Sequence, residues 1–188
     1  MNFIAGMFIT FVSEEEAFWL LVYVMNATPC RMRGLFGVGM SEAHQVLYVA
    51  EKLIAHFNPK LSKHLYKENI HITMFATQWL LTMFTSSFPF HIVTRVWDCF
   101  ILEGWKVAYR VMLALLEKAT PELLKLKFEE ILNHFKVLPF QVDANSLFAA
   151  AFNIPLKKKH IEKYAKQWLR RQELEKYEKQ RQSESTSR

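Results

Sequence analysis

The sequence predicts an all-α protein, a multi-helix domain of roughly eight or nine helices with no sheet. Three observations predict it. Apolar residues make up 51% of the 188 residues and aromatics 14%, with only 5 Gly and 6 Pro, a composition rich in core formers and poor in turn formers. Apolar positions recur at three- and four-residue spacing, and no segment sustains the period-two alternation of a half-buried strand. Breaks fall at Gly, Pro and capping residues and leave short joints, with no repeat at a period of about 20–50 residues.

The chain opens on two apolar runs, Phe3–Val12 and Phe18–Met25, separated by Ser13 and Glu14, Glu15 and Glu16. Neither reaches the roughly 18–20 residues that span a bilayer, no basic residue precedes the first, and no small-residue cleavage site follows. Two buried helices are expected instead of an anchor or signal peptide. Ser13 with Glu16 three residues on is a capping box, opening a helix that stops before Pro29.

Residues 30–39 carry Gly34, Gly37 and Gly39 and read as a loop, after which Ser41 caps a helix. Its Ala43, Val46, Leu47, Ala50, Leu53, Ile54 and Phe57 share one face. Asn58-Pro59 ends it and starts a short helix, because Pro is tolerated at the first helical position. Thr73–Ser86 is apolar round most of its circumference and reads as one buried helix. Phe90–Glu103 follows Pro89 and ends at Gly104, and Trp105–Ala119 is a further buried helix. Thr120-Pro121-Glu122 reads as a helix start, Pro139 as its close, and Asp143 as the cap of a short helix through Ile154. A charged helix is expected over 156–182 and a disordered tail over 183–188.

The net charge of +6 resides in the last segment: residues 157–188 hold 11 Lys or Arg against 5 Glu, while residues 1–156 sum to zero. The interleaved glutamates suggest a solvated helix with pairs such as Glu162–Lys166 and Glu175–Lys179, not a nucleic-acid arm. Ile161, Tyr164, Ala165, Trp168 and Leu169 give it an apolar stripe for docking.

Local motifs for chemistry are lacking. The glycines at 34–39 have neither the Lys-Ser/Thr ending of a phosphate loop nor a preceding strand. Seven scattered histidines form no His-Glu-x-x-His motif, so no metal or cofactor is expected. Cys30 and Cys99 make neither a zinc site nor a disulfide framework and suit a reduced cytoplasmic protein. Arg95 and Asp98 are charges inside an otherwise apolar helix, and their three-residue spacing puts them on one face as an ion pair.

These residues extend to a wider pattern. Arg95-Val96-Trp97-Asp98 followed by Glu103-Gly104 resembles the Arg-x-Trp-Asp…Glu-Gly signature of TBC domains. Thr73 to Phe90, with Gln78-Trp79 at its centre, is similar to the preceding family segment. Met1-Asn2-Phe3-Ile4-Ala5 resembles the helix start after the family's Tyr-x-Gln-Gly loop, Glu16-Ala17-Phe18-Trp19 the next helix, and Arg33-Gly34-Leu35-Phe36 the loop after it. The likeness runs in register to Trp168.

The resemblance implies an all-helical activator of Rab GTPases that acts in vesicle traffic. Such domains supply an arginine finger against charge developing on the transferred phosphoryl group and a glutamine that positions water. By resemblance the arginine belongs to an Ile-x-x-Asp-x-x-Arg segment and the glutamine to the Tyr-x-Gln loop, and this sequence contains neither spacing. Met1 falls where the family usually has an internal Met, so a shortened form of a longer protein is expected.

No catalytic residue is therefore expected here. Residues 1–155 would form the C-terminal part of the domain and 156–182 its closing helix. Asn2, Phe3, Gln78, Trp79, Arg95, Trp97 and Asp98 would support the site or face the GTPase. The partner implied is a Rab-family GTPase in its GTP form, with peripheral endomembrane contact. The alternative is a non-catalytic module that binds a Rab or an effector.

Overall fold

Apolar stripes on neighbouring helices close over one another to form the core. The computed structural model describes residues 1–186 and contains ten α-helices, with no strand among the described residues. They are α1 (Asn2–Ile9), α2 (Glu14–Asn26), α3 (Ser41–Phe57), α4 (Pro59–Lys67), α5 (Ala76–Leu81), α6 (Phe90–Glu103), α7 (Trp105–Leu123), α8 (Phe128–Gln141), α9 (Ala144–Asn153) and α10 (Lys158–Thr186). Short 3₁₀ turns fill the joints at Arg33–Phe36, Val38–Met40 and Ile72–Met74.

α7 is the centre. Eleven of its side chains, from Val107 to Leu123, are buried, and it packs on α3, α6, α8 and α9. α10 lies along α3, and α1 lies against α2. Tyr109, buried in α7, donates its hydroxyl to the Val46 carbonyl of α3 at 3.2 Å. Burial raises its pKa above the ordinary tyrosine value.

Three helix starts follow the capping chemistry written in the sequence. The Ser13 hydroxyl accepts from the Glu16 N–H, and the Glu16 carboxylate accepts from the Ser13 N–H at 3.0 Å. Asn58 Oδ1 accepts from the Leu61 N–H at 3.1 Å with Pro59 at the first position of α4. Asp143 accepts from the Ser146 N–H at 2.8 Å. Ser41, by contrast, is the first residue of α3 and not its cap; Met40 precedes it in the left-handed region at φ 47°.

Thr73–Ser86 is not one helix. Only Ala76–Leu81 is α-helical, and the chain leaves it through Met83 at φ 48° and Phe84 at φ 64°. The Phe84 N–H reaches back to the Trp79 carbonyl at 2.6 Å and the Met83 N–H to Leu80 at 3.3 Å, the bond pair of a Schellman closure. Its left-handed position carries Met where Gly is usual. Met83 and Phe84 are completely buried at this reversal.

Thr120-Pro121-Glu122 does not start a helix. α7 runs through Pro121 to Leu123, because the Thr120 hydroxyl bonds backward to the Leu116 carbonyl at 2.7 Å and also accepts from Asn58 Nδ2 at 2.6 Å. Pro139 likewise lies inside α8, within its last turn, where a missing N–H forfeits only one backbone bond.

Along α10 the pairs are Lys158–Glu162 at 3.8 Å and Arg171–Glu175 at 2.9 Å, in place of Glu162–Lys166 and Glu175–Lys179. The Glu175 carboxylate also accepts from Gln172 Nε2 at 3.3 Å. Ile161, Tyr164 and Ala165 pack on the core and Trp168 meets Tyr48 at 5.3 Å, but Leu169 stays exposed because it falls off that stripe. α10 continues to Thr186, past the boundary expected at 182. Ser187 and Arg188, in the expected tail, lie outside the described residues.

Candidate functional site

The apolar side of α6 carries Trp97, which is buried and ties three segments together. Its indole N–H donates to Thr85 Oγ1 at 3.0 Å, while its ring meets Phe8 of α1 edge-on at 5.0 Å and Phe100 at 5.5 Å. The start of α6 is tied to the end of α1 a second time, by Phe11 stacked on Phe90 at 5.4 Å. α6 therefore fixes where α1 lies.

Trp79 belongs to a separate aromatic cluster. It contacts Phe75 at 5.4 Å, Phe88 at 5.6 Å and Phe135 of α8 at 5.8 Å. The segment between α5 and α6 joins the two clusters, since Thr85 serves Trp97 while Phe84 and Phe88 pack together at 4.9 Å on the Trp79 side. Gln78, beside Trp79, is exposed and lines a cleft of about 570 Å³ with Met74, Ser86, Lys136 and Phe140.

Arg95 and Asp98 do not pair. The Arg95 guanidinium lies over the Phe148 ring of α9 at 4.4 Å, and its Nη1 donates to Asn145 Oδ1 at 2.8 Å. Asp98 is exposed, so water can serve its carboxylate and no desolvation has to be offset. The positioning partners Thr85, Asn145 and Phe148 were not singled out from sequence. Asn145 and Phe148 stand three apart on one helix, a spacing that makes a shared face and is the one signal available.

Asn2 and Phe3, in the first turn of α1, both face outward, Phe3 at 57% exposure. Phe18 and Trp19 on α2 are equally exposed and meet each other at 5.3 Å. The seven residues singled out thus do not converge on one pocket. Trp79 and Trp97 are internal, Arg95 clamps α6 to α9, and Asn2, Phe3, Gln78 and Asp98 lie at the surface.

No group of His, Cys, Asp or Glu side chains able to hold a metal ion occurs among the described residues. Cys30 is buried and free, its thiol pushed up to about 11 by burial, and Cys99 is raised by burial first and then by Glu103 and Asp98. Neither is activated as a nucleophile.

Residues 1–124 match the model of the Rab-GTPase-TBC domain family. The chain belongs to the TBC family. It is 37% identical over 169 residues to the human "Ecotropic viral integration site 5 protein homolog", covering 88% of this chain and 21% of that protein. It is 31% identical over 179 residues to the Caenorhabditis elegans "Rab GTPase-activating protein eat-17", covering 94% and 20%. With the Saccharomyces cerevisiae "GTPase-activating protein GYP5" it shares 37% over 137 residues, 72% of this chain and 15% of that one. This TBC chain thus spans about a fifth of the length of the curated relatives it matches.

Among solved structures, the Chlamydomonas flagellar RabGAP TBC domain superposes with a TM-score of 0.68 at 30% identity, covering 81% of this chain and 51% of that one. The Ypt/Rab-GAP domain of Gyp1p superposes with a TM-score of 0.59 at 18% identity, covering 88% and 49%, and supports the all-helical TBC fold alone. Within the TBC unit, the Arg95–Asp98 segment is a packing helix. Its arginine and tryptophan hold α9 and α1, and its aspartate is exposed.

Proposed function

We propose that these residues are the C-terminal part of a TBC domain that binds a Rab-family GTPase in its GTP form, and that this chain alone does not accelerate hydrolysis. The match of residues 1–124 to the Rab-GTPase-TBC family carries the reading. The finger arginine and glutamine that the resemblance calls for have no counterpart in this sequence.

What remains is a scaffold with a mechanical role. Trp97 holds α1 through Phe8, so α6 would fix the segment that supplies the glutamine in a complete domain. Asn2 and Phe3, exposed at the start of α1, and Gln78 in its cleft would contribute to the GTPase-facing surface. The contacts of Arg95 with Asn145 and Phe148 support reading it as a packing residue and not as a finger.

A cytoplasmic protein placed peripherally on endomembranes fits this role. In support, no helix among the described residues is long and apolar enough to cross a membrane, and both cysteines are free.

Single-turnover GTP hydrolysis by a panel of Rab proteins tests the reading. The chain is expected to leave every intrinsic rate unchanged, and acceleration of even one Rab defeats the finger argument. Pull-down from GTP-loaded and GDP-loaded Rab pools should favour the GTP form; equal recovery would contradict it. The second reading, a non-catalytic module for an effector, is favoured by the same missing motifs. It would show as capture of an effector by a chain that ignores the nucleotide state of every Rab.

A further inference from the structure

We infer that the end of the molecule where α4 meets the α7–α8 joint is a docking face for an anionic membrane surface, made of lysines beside exposed apolar side chains. The inference rests on the peripheral-membrane part of the function proposed above, and it assigns the surface and the lipid chemistry. It does not depend on which GTPase is bound.

α4 sends Leu61 and Leu65 into the core and leaves Lys60, Lys63 and Lys67 exposed, at spacings that align them on one face. His64, a turn from both Lys60 and Lys67, meets the Leu126 carbonyl at 3.0 Å. Lys125 and Lys127 flank Leu126 and are also exposed. Five lysines from two segments thus close around a single contact. The Asn58–Thr120 hydrogen bond pins the same two segments at a second point.

The positive charge continues beyond α4. Phe57, just before the Asn58 cap, meets His160 at 5.8 Å, which brings the first turn of α10, with Lys157 and Lys159, to this end of the molecule. None of these seven lysines forms an ion pair among the described residues, unlike Lys158 and Arg171 on α10. Two carboxylates stand at this end beside the lysines: Glu130, which accepts from the Lys127 N–H at 2.9 Å, and Glu122, 3.8 Å from His134. With Glu68 and Glu129 they make four carboxylates against the seven lysines, which remain in excess.

Tyr66 stands among the α4 lysines at 86% exposure, and Leu124 and Phe128 are exposed at the ends of the α7–α8 joint. Lysines that attract anionic headgroups, together with an amphipathic ring and apolar tips at headgroup depth, are the two elements of interfacial binding. The patch contains no arginine for planar, bidentate phosphate recognition, which favours a diffuse anionic surface over a shaped acidic ligand.

The test is co-sedimentation of the 188-residue chain with phosphatidylcholine vesicles, with or without about 30% phosphatidylserine, at low and physiological salt. Binding is expected only with phosphatidylserine and should weaken with salt. The triple change Lys60→Gln, Lys63→Gln, Lys67→Gln should reduce partition more than about tenfold. The same loss of charge on the outer part of α10, through Lys166→Gln, Lys176→Gln and Lys179→Gln, should leave it within about twofold. Should the α4 triple variant fail to fold by circular dichroism, Lys125→Gln with Lys127→Gln repeats the arm from the joint and should give a clear loss.

Equal losses from both triple variants, or binding indifferent to phosphatidylserine, would overturn the proposal. So would no vesicle binding at all, including capture of acidic protein without vesicles. The lipid-free Rab pull-down run on the same variants separates this inference from the GTPase reading, because each can fail while the other stands.

Discussion

The Arg95 guanidinium is held between an aromatic face and an amide oxygen of α9, while Asp98 reaches into solvent from the same helix. Truncating Arg95→Ala should therefore cost about 1–2 kcal/mol, the loss of one cation–π contact and one charge-assisted hydrogen bond. Asp98→Asn should change stability by less than about 0.5 kcal/mol, the usual range for an exposed substitution. Urea unfolding of both variants measures the difference, and comparable losses at the two positions would restore the ion pair. The sequence makes plain that a charge in this helix needs a partner. It cannot identify the partner, because Asn145 lies 50 residues further on while Asp98 offers itself at helical spacing. Proximity along the chain is a poor guide where the partner sits on another helix. Gln78 and Trp79, adjacent in one motif, both line the same cleft, Gln78 from the surface and Trp79 from the buried aromatic cluster.

The starts of α2, α4 and α9 are legible because each is written in side chains that do the capping. The Glu16 carboxylate has its pKa lowered from 4.5, first by the Ser13 hydroxyl and then by the Ser13 N–H. A group whose folded pKa is depressed stabilises above its ordinary value and loses that contribution as pH falls through the depressed one. Amide protection in the first turn of α2 is therefore expected to hold at neutral pH and to drop on acidification below the ordinary glutamate range. Ser13→Ala should weaken it at neutral pH and flatten the profile in hydrogen-exchange measurements; an unchanged profile in that variant would refute the coupling. Gly104 was legible for another reason: at φ 67° it serves the α6–α7 corner, and a Cβ there would lie 2.5 Å from the Pro29 carbonyl oxygen. What stayed hidden lacked the expected residue type. Met83 occupies the left-handed position of a Schellman closure, and nothing in a methionine advertises that role. Thr120-Pro121 misled because a hydroxyl can cap forward or bond backward, and Asn58, which holds Thr120 from α4, is remote in sequence.

At the scale of the whole molecule, the all-helical class followed from composition and periodicity because both are summed over many residues and survive local errors. The two apolar runs near the start were also read as needing cover. The structure leaves Phe3, Phe18 and Trp19 each more than half exposed, on helices whose other sides are buried. Water-exposed aromatics on two neighbouring helices favour association. The 188-residue chain should therefore form concentration-dependent oligomers in sedimentation velocity, and Phe18→Ser with Trp19→Glu should return it toward monomer. A monomer at every concentration, with a sharp high-temperature melt, would contradict this. α7 sets a different limit. It has neighbours on four helices and buried side chains on nearly every turn. Removing one residue between Val107 and Leu116 would swing all later positions by about 100°, carrying Glu117 into the buried position of Leu116. Gains and losses of length are thus confined to the joints, such as 124–127, and α7 acts as the fixed spindle on which the other helices keep their phase.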